Sequence, residues 1–114
     1  MDKQKMLSLV EGQLKAYNAR ELEQFCAHFH AEIVTSTLGA PTSNRGMDSF
    51  KARYADMFKK NPSLKCEIKH RIVLDKAIID EEWVTGIAAH PNGLRAVAIY
   101  SFKDGLISEV LFIR

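Results

Sequence analysis

The chain has 114 residues, of which 46% are apolar, so it can fill the core of one domain but is too short for two. Its 16 basic and 14 acidic residues are interspersed and give a net charge of +2, which argues against nucleic acid as a partner. The N-terminus has no signal-peptide pattern, and no segment approaches the about 20 apolar residues of a membrane span. We therefore expect a cytoplasmic protein with no membrane partner.

Three segments in the first half of the chain carry apolar residues at helical spacing: 2–17, 20–29 and 46–60. Asp2 is placed to cap the first helix, and Asn61-Pro62 ends the third. The spacing therefore predicts three N-terminal helices.

Strand patterns begin between the second and third helices and then fill the second half of the chain. The β-branched segment 32–38 predicts a first strand, and the turn-rich segment 39–44 predicts a loop. From Leu64 onward the hydrophobic period is two, with turn residues at 75–76, 91–93 and 104–105, which predicts four strands joined by hairpins. The chain is thus predicted to be one α+β domain over residues 1–114, with three helices packed on a curved, mostly antiparallel sheet.

The hairpin at Asp75-Lys76 predicts which side chains share a face of the sheet. A two-residue turn places His70 opposite Glu81 and Ile68 opposite Trp83, all on one face. The other face then carries charged residues: Glu67, Lys69, Arg71, Asp80 and Glu82. If the turn were one residue longer, His70 would instead face Glu82, so a carboxylate lies across from this histidine in either register.

The last hairpin predicts a hollow on one face and a partner surface on the other. A three-residue loop at 103–105 pairs Phe102 with Leu106 and Tyr100 with Ser108. One face then mixes aromatic and very small side chains, which can leave space between them: Ala96, Ala98, Tyr100, Val110 and Phe112. The opposite face is apolar as well, at Val97, Ile99, Ile107, Leu111 and Ile113. We therefore expect a homodimer through the outer sheet face.

Four segments, in this order, resemble the SnoaL-like branch of the nuclear transport factor two-like superfamily: LKAYNARELEQF at 14–25, GMDSFKARYADMF at 46–58, HRIVL at 70–74 and AIYSFKDGLI at 98–107. The resemblance spans nearly the whole chain. It implies a cystatin-like α+β cone whose bent sheet wraps around a largely apolar pocket, often in a dimer. Relatives include ketosteroid isomerases, polyketide cyclases, dehydratases and proteins with no known activity, so the fold does not fix the function.

The resemblance to ketosteroid isomerases can be followed to individual positions. Those relatives carry a catalytic aspartate at the end of the first strand, a tyrosine in helix one and a protonated aspartate on the penultimate strand. The corresponding residues here are Thr37, Gln13 and Ala98. Neither the isomerase base nor its oxyanion hole is therefore carried over to this chain.

His70, Glu81 and Tyr100 are the predicted catalytic residues. A carboxylate beside an imidazole raises its basicity and orients it, so His70 could act as a general base with Glu81 behind it and Tyr100 as a hydrogen-bond donor. The alternative is a cross-strand polar pair that only stabilises the fold.

Six aromatic side chains are the predicted ligand-binding residues, since flat apolar walls with a few polar tips suit a small hydrophobic ligand: Tyr17, Tyr54, Phe58, Trp83, Phe102 and Phe112. Core packing is the alternative for each. The sequence thus leaves three functions open: an isomerase, cyclase or dehydratase acting on a carbonyl-type molecule, a non-catalytic binding protein, or a dimerisation module.

No metal and no cofactor are expected. Cys26 and Cys66 form no C-x-x-C motif and have no histidine at metal-ligand spacing, so we expect two reduced, buried thiols. His28, His30 and His70 include no pair at i, i+4, and the chain has no phosphate-binding loop or nucleotide fingerprint.

Overall fold

A computed structural model describes residues 1–41 and 43–114. Within these residues the elements are α1 (Lys3–Ala19), α2 (Leu22–Cys26), β1 (Phe29–Thr37), β2 (Asn44–Arg45), α3 (Met47–Lys60), β3 (Lys65–Val73), β4 (Ala77–Thr85), β5 (Leu94–Lys103) and β6 (Leu106–Ile113).

The three predicted helices are present among the described residues, and the second is shorter than predicted. Asp2 caps α1 as expected, since its Oδ1 accepts a hydrogen bond of 2.7 Å from the backbone N–H of Lys5. The helix predicted over 20–29 is wrong at its C-terminal end, because the chain there joins the sheet. The carbonyl of His28 accepts a hydrogen bond of 3.1 Å from the backbone N–H of Ile107, and β1 begins at Phe29.

The described strands form one sheet in the order β2-β1-β6-β5-β4-β3, antiparallel except for the parallel pair β1–β6. The α+β architecture with a mostly antiparallel sheet is therefore confirmed. The predicted loop 39–44 includes Thr42, which lies outside the described residues. At the end of that segment the prediction is wrong, because Asn44 pairs with Thr35 and forms the short strand β2.

The helices pack on one face of the sheet, which we call the inner face and which carries Ala98, Tyr100 and Val110. An aromatic cluster fills the space beneath them. The ring of Phe25, 1% exposed, lies 4.7 Å from Tyr54 and 4.9 Å from Phe29 between centroids. Burial of these rings provides much of the driving force that holds the helices on the sheet.

Hydrogen bonds fix the end of α1 against β3. The side chain of Asn18 accepts from the backbone N–H of Cys66 (2.8 Å) and donates to its carbonyl (3.0 Å), so that it imitates a neighbouring strand. Arg20, in the left-handed conformation that ends α1 (φ 54°), donates to the carbonyl of Leu64 at 2.8 Å. Both contacts hold β3 beneath the helix.

A β-bulge in β3 overturns part of the predicted face assignment. Ile72 lies opposite Ile79 and His70 opposite Glu81, as predicted. The register then shifts between Ile68 and His70, and Ile68 lies opposite Glu82 instead of Trp83. The extra residue places Cys66 and Ile68 on the face opposite to that of His70 and Ile72.

The last hairpin differs from the prediction in pairing and, at Ile107, in face. Its turn has two residues, Asp104 and Gly105, both with positive φ, and a bulge follows. Tyr100 therefore pairs with Val110 instead of Ser108, and the predicted pairing of Phe102 with Leu106 is wrong. At Tyr100 and Ala98 the displacement is two residues, so the predicted inner face of small and aromatic residues is confirmed. At Phe102, which pairs with Ile107, the displacement is one residue, and the predicted place of Ile107 on the outer face is wrong because its side chain is buried in the core.

Candidate functional site

A cavity lies between the helices and the inner face of the sheet. Its volume is about 60 Å³, measured as the space open to the centres of water-sized spheres. Since about 10–15 Å³ in this measure holds one water molecule, the space suits a molecule of only a few non-hydrogen atoms. The wall is mainly apolar and includes six aromatic rings, those of Tyr17, Phe25, Phe29, Tyr54, Tyr100 and Phe112.

Glu82 is the acidic group in this wall. It lies on β4, is 9% exposed and belongs to the inner face together with Asp80 and Val84. Burial, and next the negative charge of Asp80, raise the pKa of Glu82 from 4.5 to about 7. The charge of Arg114 and hydrogen bonding from Cys66 and Tyr100 lower it to a smaller extent.

The hydroxyl group of Tyr100 lies in the same wall and is held from behind. Gln13 on α1 is buried, and its side-chain amide donates to the Tyr100 hydroxyl at 3.2 Å and to the carbonyl of Val10 at 3.0 Å. Because that hydroxyl accepts from Gln13, its own proton is left for Glu82 or for a group in the cavity. Burial raises the pKa of Tyr100 well above its ordinary value, so the hydroxyl stays protonated at neutral pH.

Asp80 differs from Glu82 in having a cationic partner. Arg71 donates to both of its oxygens, from Nε at 2.6 Å and from Nη2 at 2.9 Å, and Asp80 is fully buried. Within the described chain, Glu82 has no such ion pair. Its carboxyl therefore faces the cavity without a neutralising contact.

His70 and Glu81 form a pair, but on the outer face of the sheet. Nδ1 of His70 lies 2.6 Å from Oε1 of Glu81, and Nε of Arg95 donates to Oε2 at 2.6 Å. The side chain of His70 is 82% exposed. The predicted pairing is confirmed, whereas the prediction that both residues share a face with Tyr100 is wrong. In the pairing of β4 with β5, Glu81 lies opposite Val97 and Ile78 lies opposite Tyr100, which puts Glu81 and Tyr100 on opposite faces. The catalytic role of His70 and Glu81 stays a prediction.

The six predicted ligand-binding aromatics divide into two groups. Tyr17, Tyr54 and Phe112 line the cavity. Phe58 is a buried core residue whose ring lies 5.5 Å from Tyr17, and Phe102 packs at the margin of the core; neither lines the cavity. Trp83 was expected on the cavity face and is instead on the outer face, where its ring covers Gly93.

Sequence reasoning missed Glu82 as a cavity residue and assigned it to the charged outer face. The residues of β5, and not those of β3, indicate the correct face of Glu82. Glu82 pairs with Ala96 and Asp80 pairs with Ala98, and both alanines were predicted to face inward. Counting from β5 would have turned both carboxylates toward the helices. Gln13 and Ala98, which stand where ketosteroid isomerases carry oxyanion-hole residues, are both buried, and Thr37 is half-buried at the end of β1.

Within residues 1–41 and 43–114, no group of three or more histidine, cysteine, aspartate or glutamate side chains is arranged to hold a metal ion. In the same residues no helix is both long and apolar enough to cross a membrane.

The protein is thus an α+β domain in which helices cover one face of a β-sheet, with a small cavity between the two layers. The family model of the SnoaL-like domain matches residues 10–110, so the chain belongs to the SnoaL-like family. No curated protein sequence matches it.

Solved structures show the same fold at low sequence identity. An uncharacterised cystatin-fold protein from Novosphingobium aromaticivorans is 22% identical, with a TM-score of 0.85 over 100% of this chain and 99% of that one. A SnoaL-like protein of unknown function from Burkholderia thailandensis is 16% identical (TM-score 0.81, 96% and 92% covered). A putative ketosteroid isomerase from Kribbella flavida is 14% identical (TM-score 0.81, 96% and 77% covered). At these identities the comparison shows the fold alone.

Proposed function

We propose that the cavity binds a small, mainly apolar carbonyl compound, and that Glu82 moves a proton at the carbon next to the carbonyl group. The observation that carries this proposal is the combination of a carboxyl with a pKa of about 7 and the Tyr100 hydroxyl in one cavity wall. A general base works best when its pKa lies near the working pH, because its basic form is then both populated and reactive.

This proton transfer balances without a further reactant. Ionised Glu82 removes a proton from the α-carbon, and the electron pair of the broken C–H bond moves to the carbonyl oxygen, forming an enolate. Tyr100 donates a hydrogen bond to that oxygen, and Gln13 holds Tyr100 in place. Protonated Glu82 then returns the proton to the same carbon or to a conjugated one. The second outcome is an isomerisation.

Two comparisons support and limit this proposal. The Kribbella flavida structure, described as a putative ketosteroid isomerase, has the same fold. However, the isomerase positions read Thr37, Gln13 and Ala98 here, so Glu82 would act as base from a different strand. The cavity of about 60 Å³ is also much smaller than the roughly 300 Å³ or more of a drug-sized site, which favours a substrate smaller than a steroid.

The proposal is tested by the exchange of α-protons of cyclopentanone in D₂O, followed by proton NMR with purified protein. We expect wild-type protein to accelerate exchange, with a rate that rises with pH to a midpoint of about 7. Glu82→Gln should lower the rate by about 10²-fold or more, the usual contribution of a general base. Tyr100→Phe should lower it less and leave the midpoint in place.

His70→Ala is the matched comparison, because it removes the base predicted from the sequence on the other face of the sheet. We expect it to retain both the rate and the melting temperature. A Glu82→Gln protein that exchanges at the wild-type rate would refute the proposal, and loss of exchange in His70→Ala without loss of stability would assign the base to His70.

A non-catalytic binding protein is the second candidate, favoured by the predominantly apolar wall of the cavity. In that case saturation-transfer NMR should show cyclopentanone bound to wild-type protein, although no α-proton exchange is accelerated.

We also propose that the outer face of the sheet joins two copies of the chain. The strand register places Ile72, Ile79, Ile99 and Leu111 in one row across four adjacent strands. Ile72 is 53% exposed, and the helices that could cover the row pack on the inner face. A straight, uncharged row can meet its own copy about a twofold axis.

Sedimentation at micromolar concentration should therefore give a dimeric mass for the wild type and a monomeric mass for Ile99→Glu. Leu38→Glu, which places the same charge at an exposed residue outside the row (64% exposed), should stay dimeric. A monomeric wild type would contradict the proposal.

A further inference from the structure

Arg114 combines two properties that distinguish it from the other charged residues described above. Its guanidinium carbon lies 4.7 Å from the ring centroid of Phe112, and both residues line the cavity. Arg114 is nevertheless exposed to solvent, so it marks the side on which the cavity opens. Its positive charge also acts on groups inside the cavity, because it opposes the rise in the pKa of Glu82 and in that of Tyr54.

The guanidinium group of Arg114 is available to a ligand. Arg71 is held by Asp80 and Arg95 by Glu81. For Arg114, by contrast, the described residues provide the aromatic face of Phe112 and no carboxylate within 4.0 Å. Stacking on a ring leaves the N–H edges of the guanidinium group free, and those edges fit the two oxygens of a carboxylate.

We infer that the ligand is a small oxo acid, whose carboxylate binds Arg114 at the open side while its carbonyl group lies beside Tyr100 and Glu82. This inference rests on the proposed function and names its substrate class. The apolar wall between the two ends would contact the hydrocarbon part of the ligand. A neutral ketone can contact only Tyr100 and Glu82, whereas an oxo acid can also bind Arg114.

The size of the cavity limits the length of the acid. A volume of about 60 Å³ admits a short chain with one carbonyl group, and the carboxylate can remain partly in solvent beside Arg114. 4-Oxopentanoate is a suitable probe of this class. Its primary amide, 4-oxopentanamide, has nearly the same shape and no charge, so the pair isolates the contribution of the carboxylate.

Binding of an acid has a second consequence that a neutral probe lacks. The positive charge of Arg114 lowers the pKa of Glu82, and a bound carboxylate would offset that charge. Binding of 4-oxopentanoate near neutral pH should therefore be coupled to proton uptake. Calorimetry in two buffers of different ionisation enthalpy detects this uptake, and the amide should show less of it.

The test is a titration of both probes at pH 7 and low salt, followed by protein NMR shifts. We expect wild-type protein to bind the acid about tenfold more tightly than the amide, as a charge-assisted hydrogen-bonded pair provides. Arg114→Gln should abolish the preference, and Arg114→Lys should retain part of it. Arg45→Gln, which removes a charge at an exposed position of β2, should behave like the wild type.

The outcomes separate this inference from the proposed function. Equal affinity of the wild type for both probes, or an undiminished preference in Arg114→Gln, would overturn the inference, while ketone exchange by Glu82 could still be observed. Failure of both probes to bind, together with no exchange of cyclopentanone, would overturn both.

Discussion

Replacing Glu82 with glutamine should change how the stability of the protein depends on pH. Glutamine has nearly the same shape but no proton to lose, so it removes the titration and retains the packing. The pKa of Glu82 is higher in the folded chain than in the unfolded one, and folding therefore takes up a proton between those two values. Wild-type stability from this group is fully present below pH 4.5, falls as the pH rises and is lost above about 7.

The size of the effect follows from the two pKa values. The pKa rises from 4.5 to about 7, and each pH unit between them corresponds to about 1.4 kcal/mol. The product is roughly 3 kcal/mol, which is a large part of the about 5–15 kcal/mol that holds a typical domain together. Solvent reaches little of this carboxyl, which is 9% exposed, so screening by water removes only a small part of the effect.

Urea unfolding of wild type and Glu82→Gln at pH 4.5 and at pH 8 measures this difference. Relative to the variant, the wild type should lose roughly 3 kcal/mol between the two conditions. Glu81→Gln is the matched control, on the adjacent residue of the opposite face. The pKa of Glu81 is lowered by His70 and Arg95, so its stabilising contribution should instead be lost as the pH falls. A gap between wild type and Glu82→Gln that does not vary with pH would refute the reasoning.

Two further predictions concern the frame around the site. Arg71→Ala should destabilise the chain by roughly 3–5 kcal/mol in urea unfolding, because it leaves the carboxylate of Asp80 buried without a partner; a loss below about 1 kcal/mol would contradict this. Gly86 and Gly105 have nearly the same φ, 78° and 77°, but a Cβ atom at Gly86 would collide with the backbone of Ser63, whereas at Gly105 it meets open space. Gly105→Ala should therefore cost only the left-handed strain of about 1–2 kcal/mol, and Gly86→Ala at least twice as much; equal losses would show that the collision relaxes.

The helices could be predicted because their sequence patterns are local. Most side chains of the last two strands were assigned to the correct face because an error of two residues in pairing leaves the face unchanged. Phe50, Tyr54 and Phe58 recur at every fourth residue and are all buried in α3, and the Asp2 cap depends on four neighbouring residues. At Tyr100 the predicted pairing is wrong by two residues, but side chains alternate with a period of two, so Tyr100 was still assigned to the correct face. Next to the turn the error is one residue, and Ile107 was assigned to the wrong face.

The faces of β3 and β4 could not be predicted from the hairpin between them. A single extra residue in β3 separates Cys66 and Ile68 from the face of His70, and the sequence there, Ile68-Lys69-His70, contains no glycine that would mark a bulge. The hairpin also does not show which face meets the helices, because that depends on the pairing of β4 with β5. The acidic side chains of Asp80 and Glu82 also favoured the wrong face, because acidic residues are usually exposed. Burial of Asp80 becomes favourable only through Arg71, which is close to it in space but not in sequence.

Three consecutive carboxylates on β4 show how the regular alternation of the strand determines the chemistry of the site. Asp80 is buried and held by Arg71, and Glu81 is turned outward, where His70 and Arg95 lower its pKa. Glu82 is buried beside a cavity with no such partner in the described chain, and its pKa rises to about 7. A base that takes up and returns protons at neutral pH must be populated in both forms. The pKa of Glu82 is raised into that range, so we propose that the inner face carries the acid–base chemistry.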